Sequence, residues 1–138
     1  EKILNEFSSK KDNFYLIHCN DGMRGPGNKY ANVPPLAVNS FIHRDYVDTI
    51  GQYMEVIEPN TYGDTYLDKV FELLDRKIYY HDVVIRHLHF SEYGGKDQVS
   101  VDLEKTREGI WNNPNIFEEK LMPEILKEVE IIKKKIAK

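Results

Sequence analysis

Two histidines separated by one residue, His87 and His89, give the strongest local chemical signal in the sequence. They end the segment Asp82–His89, whose apolar residues predict a β-strand. Alternate residues of a strand face the same side, so we expect the two imidazoles on one face, about 6.5 Å apart between Cα atoms. Imidazole is a common ligand of divalent metals, so the pair predicts part of a metal site. The alternative is that each histidine only hydrogen-bonds at the end of the strand.

Asp64 follows Gly63 and comes just before the most regular amphipathic pattern of the chain. A carboxylate at the start of a helix is stabilised by free backbone N–H groups and by the helix dipole. A carboxylate held there beside a loop could also act as a general base and accept a proton from a bound hydroxyl. The sequence leaves both interpretations open.

Two further polar segments follow predicted strands. Asn20 and Asp21 precede Gly22, which is typical of a tight turn and also of a ligand-facing loop at the carboxyl end of a strand. His43 and Arg44 follow the second predicted strand and are candidates for a phosphate contact. The alternative for this second pair is a helix start with solvated charges.

Hydrophobic periodicity and turn residues predict the elements that must position these side chains. A first helix is predicted with Ile3, Leu4 and Phe7 on one face. The loop after the first strand is long for a small domain, which is typical of a functional or mobile segment. The predicted order is helix 1–10, strand 13–18, loop 19–35, strand 36–42, helix 44–53, helix 64–75, strand 77–90, helix 101–111 and a last helix from about 115.

Length and composition restrict the protein class. The chain has 138 residues and a mass of 16.2 kDa, which suits one domain. Its net charge of −4 disfavours nucleic acid as a main partner, and no apolar run approaches the ~20 residues that span a bilayer. The single cysteine, Cys19, rules out an internal disulfide and favours a reducing, cytoplasmic compartment. We expect no secretory signal, because Glu1 begins directly in a helical pattern.

The order and spacing of several motifs resemble a known family. From about residue 1 to residue 100, the chain is similar to the C-terminal half of nucleotide-sugar glycosyltransferases of the GT-A type, family-2-like. The resemblance rests on Asn20-Asp21-Gly22, Val38 to Arg44 with Tyr46-Val47-Asp48 and Gly51, Gly63-Asp64-Thr65-Tyr66-Leu67, Asp82 to His89, and Gly95-Lys96-Asp97.

The resemblance implies a fold and a division of the chain. The expected fold is α/β, a partial GT-A-like three-layer fold in which helices flank a short mixed sheet. Residues 1–98 would form the acceptor-side half of this domain, and residues 99–138 a C-terminal helical extension.

The resemblance also implies an activity and a set of roles. The enzyme would transfer a sugar from a nucleotide-sugar donor to a hydroxyl acceptor with Mn²⁺ or Mg²⁺. Asp64 would be the catalytic base, and His87 or His89 the late metal ligand. The donor or acceptor pocket would be lined by Asn20, Asp21, His43 and Arg44.

The sequence departs from that family in one respect. It contains no Asp-x-Asp motif, and nothing in it resembles the nucleotide-binding half of such enzymes. Either that half is expected in a preceding segment or in another chain, or the protein has lost the activity. The lone chain is expected to lack most of the donor site.

Two other functions fit the sequence. One is a non-catalytic binding or assembly module, which could form an oligomer. The other is a small metal-dependent hydrolase that adds ligands from His18, His43 or Asp64 to His87 and His89.

Overall fold

A computed structural model describes residues 1–28, 30–52, 62–86 and 115–138. This part of the chain has α/β architecture, with helices beside a three-stranded mixed sheet. The predicted helix 101–111 and the pair His87 and His89 lie outside the described residues. The elements are α1 (Lys2–Ser9), β1 (Leu16–Asn20), β2 (Ser40–Ile42), α2 (Arg44–Ile50), α3 (Gly63–Leu73), β3 (Lys77–Val84), a π-helical turn (Phe117–Leu121) and α4 (Met122–Ile136).

The sheet has the order β2-β1-β3, with β1 at its centre. β2 runs antiparallel to β1, with Leu16 opposite Ile42 and His18 opposite Ser40. β3 runs parallel to β1, with Leu16 opposite Lys77. Parallel neighbours need a crossover connection, and α3 lies in the segment that supplies it.

One face of the sheet packs against the main core. Alternation along β1 places Leu16 and His18 on this face, and the parallel register adds Lys77 and Tyr79 from β3. Leu16 is fully buried in the same cluster as residues of α2, α3 and α4. These three helices therefore cover this face.

The opposite face of the sheet lies beneath α1. Ile17 and Cys19 of β1 point to it, and both are buried. The hydroxyl of Tyr80 on β3 donates a hydrogen bond to the Glu6 carboxylate of α1, and Lys2 of α1 lies 2.5 Å from Asp82. Side-chain contacts at two points thus fasten α1 to β3.

The amphipathic patterns of the longer helices are confirmed. In α3, Leu67, Val70 and Phe71 are fully buried, and Leu74, directly after the helix, packs against the core. An apolar stripe along the π-helical turn and α4 is likewise buried or packed on the core, namely Leu121, Ile125, Val129, Ile132 and Ile136. Because α4 shares one core with α2 and α3, its apolar stripe is covered within this chain.

The first helix is confirmed, but the prediction that Leu4 lies on its inward face is wrong. Ile3 and Phe7 are partly buried, whereas Leu4 is 70% exposed. Successive helical residues are turned by about 100°, so Leu4 lies beyond the narrow contact that α1 makes with the sheet.

The predicted starts of the first two strands are too early. Before β1, the Phe14 amide donates to the Asp12 side chain at 3.0 Å, which forms a turn. Before β2, the Val38 amide donates to the Leu36 carbonyl at 2.8 Å, and the Ala37 amide donates to Asp68. These backbone groups are engaged locally or by α3, so the strands begin at Leu16 and Ser40.

The end of β3 is irregular. Cys19 pairs with Tyr80, but the next residue of β1, Asn20, pairs with Val84. The extra residues in β3 form a bulge, which changes the side-chain alternation along the bulged strand. The simple alternation predicted from Asp82 onward is therefore interrupted at its start.

Among the described helices, none combines the length and apolar character needed to cross a membrane.

Candidate functional site

Hydrogen bonds join the carboxyl ends of β1 and β3 to each other and to the segment before β2. The Asn20 side chain donates to the His81 carbonyl at 3.1 Å, and the Ile85 amide donates to the Asn20 carbonyl at 2.8 Å. The Asn39 side chain, just before β2, donates to the Ile85 carbonyl at 2.6 Å. We call this end of the sheet the carboxyl edge, and it is the edge at which open α/β sheets bind ligands.

Asp21 builds the loop that leaves this edge. Its side chain is 3% exposed and accepts from the backbone amides of Met23 and Arg24 at 2.8 and 2.9 Å. Its second oxygen accepts from the Arg24 guanidinium at 2.8 Å. Both carboxylate oxygens are thus engaged within the loop.

The loop formed by residues 21–35 is closed by further hydrogen bonds. The Tyr30 amide donates to the Met23 carbonyl at 2.8 Å, and the Gly25 amide donates to the Val33 carbonyl at 3.2 Å. The Asn28 side chain donates to the Asn20 side chain at 3.0 Å. Cys19 and Asn20, predicted in this loop, belong instead to β1.

Gly22 provides a test of the left-handed backbone in this loop. Its φ of +75° is costly for other residues, whereas a Cβ there would meet Cγ of Arg86 at 3.4 Å, an ordinary van der Waals distance. We expect Gly22→Ala to lower the free energy of unfolding in urea by about 1–2 kcal/mol. Gly27→Ala should give a similar loss, since Gly27 has φ +81° and open space around it. A clearly larger loss at Gly22 would show that the Arg86 side chain cannot move aside, and no loss in either variant would contradict the left-handed backbone.

Asp64 lies in the first turn of α3, and its side chain accepts from the Thr65 amide at 2.9 Å. The half-buried carboxylate keeps contact with solvent. A short turn joins the end of α3 to the start of β3, so the helix runs back along the strands. Over 11 residues α3 is about 16 Å long. Its first turn therefore lies toward the carboxyl edge, on the same end of the fold as Asn20 and Asp21.

His43 and Arg44 lie at the opposite end of the sheet, beside the amino end of β1. Ile42 pairs with Leu16, the first residue of β1, so the segment after β2 is about one strand length from Asn20. The Nδ1 atom of His43 accepts from the Asp45 amide at 3.2 Å and caps α2. The Arg44 side chain is 86% exposed. The structure does not bring this pair together with Asn20 and Asp21.

His18 is a notable residue that sequence reasoning named only as a possible metal ligand. It lies at the centre of the sheet, is 1% exposed, and stacks on Tyr79 with ring centroids 4.8 Å apart. Neither ring nitrogen has a hydrogen bond of normal geometry within the part of the chain that the structure describes. The alternation that buries Leu16 was the available sequence signal, because His18 lies two residues further on the same face.

The surroundings of His18 favour its neutral form. Burial, and then the nearby charge of Lys77, lower the pKa of His18 to about 4. The carboxylates of Asp68 and Asp21 and the Leu36 carbonyl oppose this shift. Asp68 is itself paired with Lys77 at 2.9 Å, which limits its influence. His18 is therefore uncharged near neutral pH.

Cys19 has no feature of a nucleophile. It is 1% exposed on the face beneath α1. Burial, and then the charge of Asp82, raise the pKa of its thiol, so the reactive thiolate is disfavoured.

A metal centre is not formed by the described residues alone. Across residues 1–28, 30–52, 62–86 and 115–138, no group of three or more His, Cys, Asp or Glu side chains could hold a metal ion. His18 and His43, two of the added ligands considered for a hydrolase, lie at the centre and at the amino end of the sheet.

Comparisons with protein-family models, curated proteins and solved structures gave no match. The functional proposal therefore rests on the chain's own residues.

Proposed function

We propose that the chain is the acceptor-side half of a GT-A-like glycosyltransferase that transfers a sugar from a nucleotide-sugar donor to a hydroxyl acceptor. The observation that carries the proposal is that Asp64, a half-buried residue, lies in the first turn of α3. We infer from the short connection between α3 and β3 that this turn is directed toward the carboxyl edge. Ligands of open α/β sheets bind at this edge, so an acceptor there could reach the carboxylate.

In this proposal Asp64 acts as the general base. Its carboxylate takes the proton of the acceptor hydroxyl, and the acceptor oxygen forms a bond to the anomeric carbon of the donor sugar. The bond from that carbon to the diphosphate oxygen breaks, and the departing nucleoside diphosphate keeps the electron pair. Asn20 and Asp21 shape the loop beside the reacting groups, since their side chains are engaged within it.

The remaining parts of the proposal come from the resemblance alone. They are Mn²⁺ or Mg²⁺, a metal ligand at His87 or His89, a nucleotide-binding half supplied from outside these residues, and a cytoplasmic location. His43 and Arg44 would contact substrate only from the opposite edge of the sheet.

Asp64→Asn tests the proposed base. We expect transfer by the enzyme completed with its nucleotide-binding half to fall about 100-fold, because general-base catalysis typically contributes at least that factor. The circular-dichroism spectrum should not change. Asp48→Asn is the control, since Asp48 is another surface carboxylate, in α2, with a side chain 59% exposed.

Three results would contradict the proposal. Full turnover by Asp64→Asn would remove Asp64 from the base role. An equal loss in Asp48→Asn would show that the effect is one of charge. If the completed protein transfers no sugar at all, the glycosyltransferase proposal fails.

A specific observation also favours a second function, a non-catalytic binding or assembly module. Asp21 uses both carboxylate oxygens within the loop, and Asn20 bonds to Gly22 and to the His81 carbonyl. In addition, β2 and β3 are the outer strands of the described sheet, and an outer strand can accept a further strand. Light scattering of the purified chain tests this function, and a well-folded monomer at all concentrations would count against it.

A further inference from the structure

The outward side of α4 carries a row of lysines that the proposed function does not use. In an α-helix, residues 7 positions apart are turned by about 20° from each other, and residues 8 positions apart by about 80°. Lys127 and Lys134 of α4 therefore share one side, and Lys135 lies beside them. Lys120 in the π-helical turn and Lys138 after α4 lie near the two ends of this row. All five are exposed, and the buried stripe of α4 faces the other way, into the core. We call these five residues the lysine stripe.

The lysine stripe is least neutralised at its C-terminal end. Glu124 pairs with Lys127 at 3.2 Å, and both side chains remain about half exposed or more. Residues 115–130 carry five glutamates and two lysines, whereas residues 131–138 carry four lysines and no acidic residue. Subtracting these four charges from the net charge of −4 leaves −8 for residues 1–130. Positive charge is therefore concentrated in residues 131–138.

Two exposed apolar side chains accompany the lysines. Ile131 lies within the stripe and is 38% exposed, and Leu126 lies on its flank and is 51% exposed. A helix with apolar side chains between lysines can lie on a bilayer, with the apolar groups at headgroup level and the ammonium groups on phosphates.

We propose that the lysine stripe binds the surface of an anionic lipid bilayer. A flat surface can contact the stripe alone, because the apolar stripe of α4 is turned into the core. A nucleic acid fits these residues less well, because the stripe has no arginine forks and no aromatic side chains on which bases could stack. The proposal is independent of the glycosyltransferase assignment.

The expected affinity follows from the number of lysines. Each lysine near an anionic surface strengthens binding about fivefold, and the attraction decays within a Debye length. Binding should therefore be strong at about 0.1 M salt, where this length is about 10 Å, and lost near 1 M, where it is about 3 Å.

The test is co-sedimentation of the full chain with phosphatidylcholine vesicles, with and without phosphatidylserine. We expect sedimentation only with phosphatidylserine, and its loss at high salt. Lys134→Glu and Lys135→Glu should each weaken the partition at least fivefold. Lys11→Glu is the matched control, because it makes the same charge change at an exposed residue far from α4 and should leave the partition close to wild type.

Three outcomes would overturn the proposal. The first is no sedimentation of the wild type with phosphatidylserine vesicles. The second is an equal loss in Lys11→Glu, which would show attraction by net charge alone. The third is salt-sensitive binding to an RNA or DNA duplex, abolished by Lys134→Glu, without binding to vesicles, which would make the stripe a nucleic-acid surface.

Discussion

Lowering the pH from about 6.5 to about 4 is expected to reduce the free energy of unfolding by about 3 kcal/mol through His18 alone. The folded protein holds the pKa of His18 at about 4, whereas the unfolded chain restores it to the ordinary value of 6.5. Each pKa unit corresponds to about 1.4 kcal/mol.

The direction of the effect follows from proton binding. Between the two pKa values the unfolded chain binds a proton at His18 and the folded chain does not, so stability falls as the pH falls. Above about 6.5 the contribution is constant, and below about 4 no further loss arises from His18. The pKa values of Glu6 and Asp82 are lowered in the fold by hydrogen bonds to Lys10 and Lys2, so these carboxylates lose their contributions at more acidic pH.

The experiment is urea unfolding of the wild type, His18→Gln, His18→Phe and His43→Gln at several pH values between 4 and 7. We expect His18→Gln to flatten the slope in this window, and His18→Phe to do so while keeping a ring against Tyr79. His43→Gln should keep the wild-type slope, since it leaves His18 intact and changes a histidine whose side chain is 40% exposed. A wild-type slope in both His18 variants would contradict the assignment.

The example of His18 shows where sequence reasoning stops. Strand alternation predicts the face on which it lies, but its burial depends on how Asp21, Leu36 and α3 pack around it. The same is true of His43. Its place after a strand is visible in the sequence, but the antiparallel pairing that carries it away from Asn20 is a long-range contact. Polar residues that follow predicted strands therefore lie at both ends of the sheet and need not share one site.

Local sequence patterns predict an element correctly where one hydrophobic period dominates. The spacing of Leu67, Val70 and Phe71 predicts α3, because the apolar face of a helix needs only one packing partner. In this fold α4 is that partner. The starts of the strands were misplaced because Asp12 and Asp68 take up backbone amides before β1 and β2. The hydrogen bonds of Asp21 were likewise invisible, since turn chemistry and ligand binding favour the same residues.

The other large effect is expected in the shared core of α3 and α4. Phe71→Ala should lower the free energy of unfolding by about 3–5 kcal/mol, and Ile132→Ala by about 2–5 kcal/mol, because both side chains are fully buried. Stabilities of single domains are about 5–15 kcal/mol, so either variant leaves a marginal fold. Ile131→Ala is the control, since Ile131 neighbours Ile132 but is 38% exposed.

These variants also test the predicted division into residues 1–98 and 99–138. Phe71 belongs to the first part and Ile132 to the second, yet both lie in one buried cluster. If this cluster unfolds as one unit, urea unfolding followed by far-ultraviolet and by near-ultraviolet circular dichroism should give coincident transitions, and each variant should shift both. The buried Tyr46 and Tyr66 of the cluster contribute to the near-ultraviolet signal. If α4 instead belonged to an independent helical extension, Ile132→Ala would unfold α4 at a lower urea concentration. The urea midpoint of the sheet would then stay unchanged. Two separated transitions would therefore show that α4 rests on a core that is already stable without it.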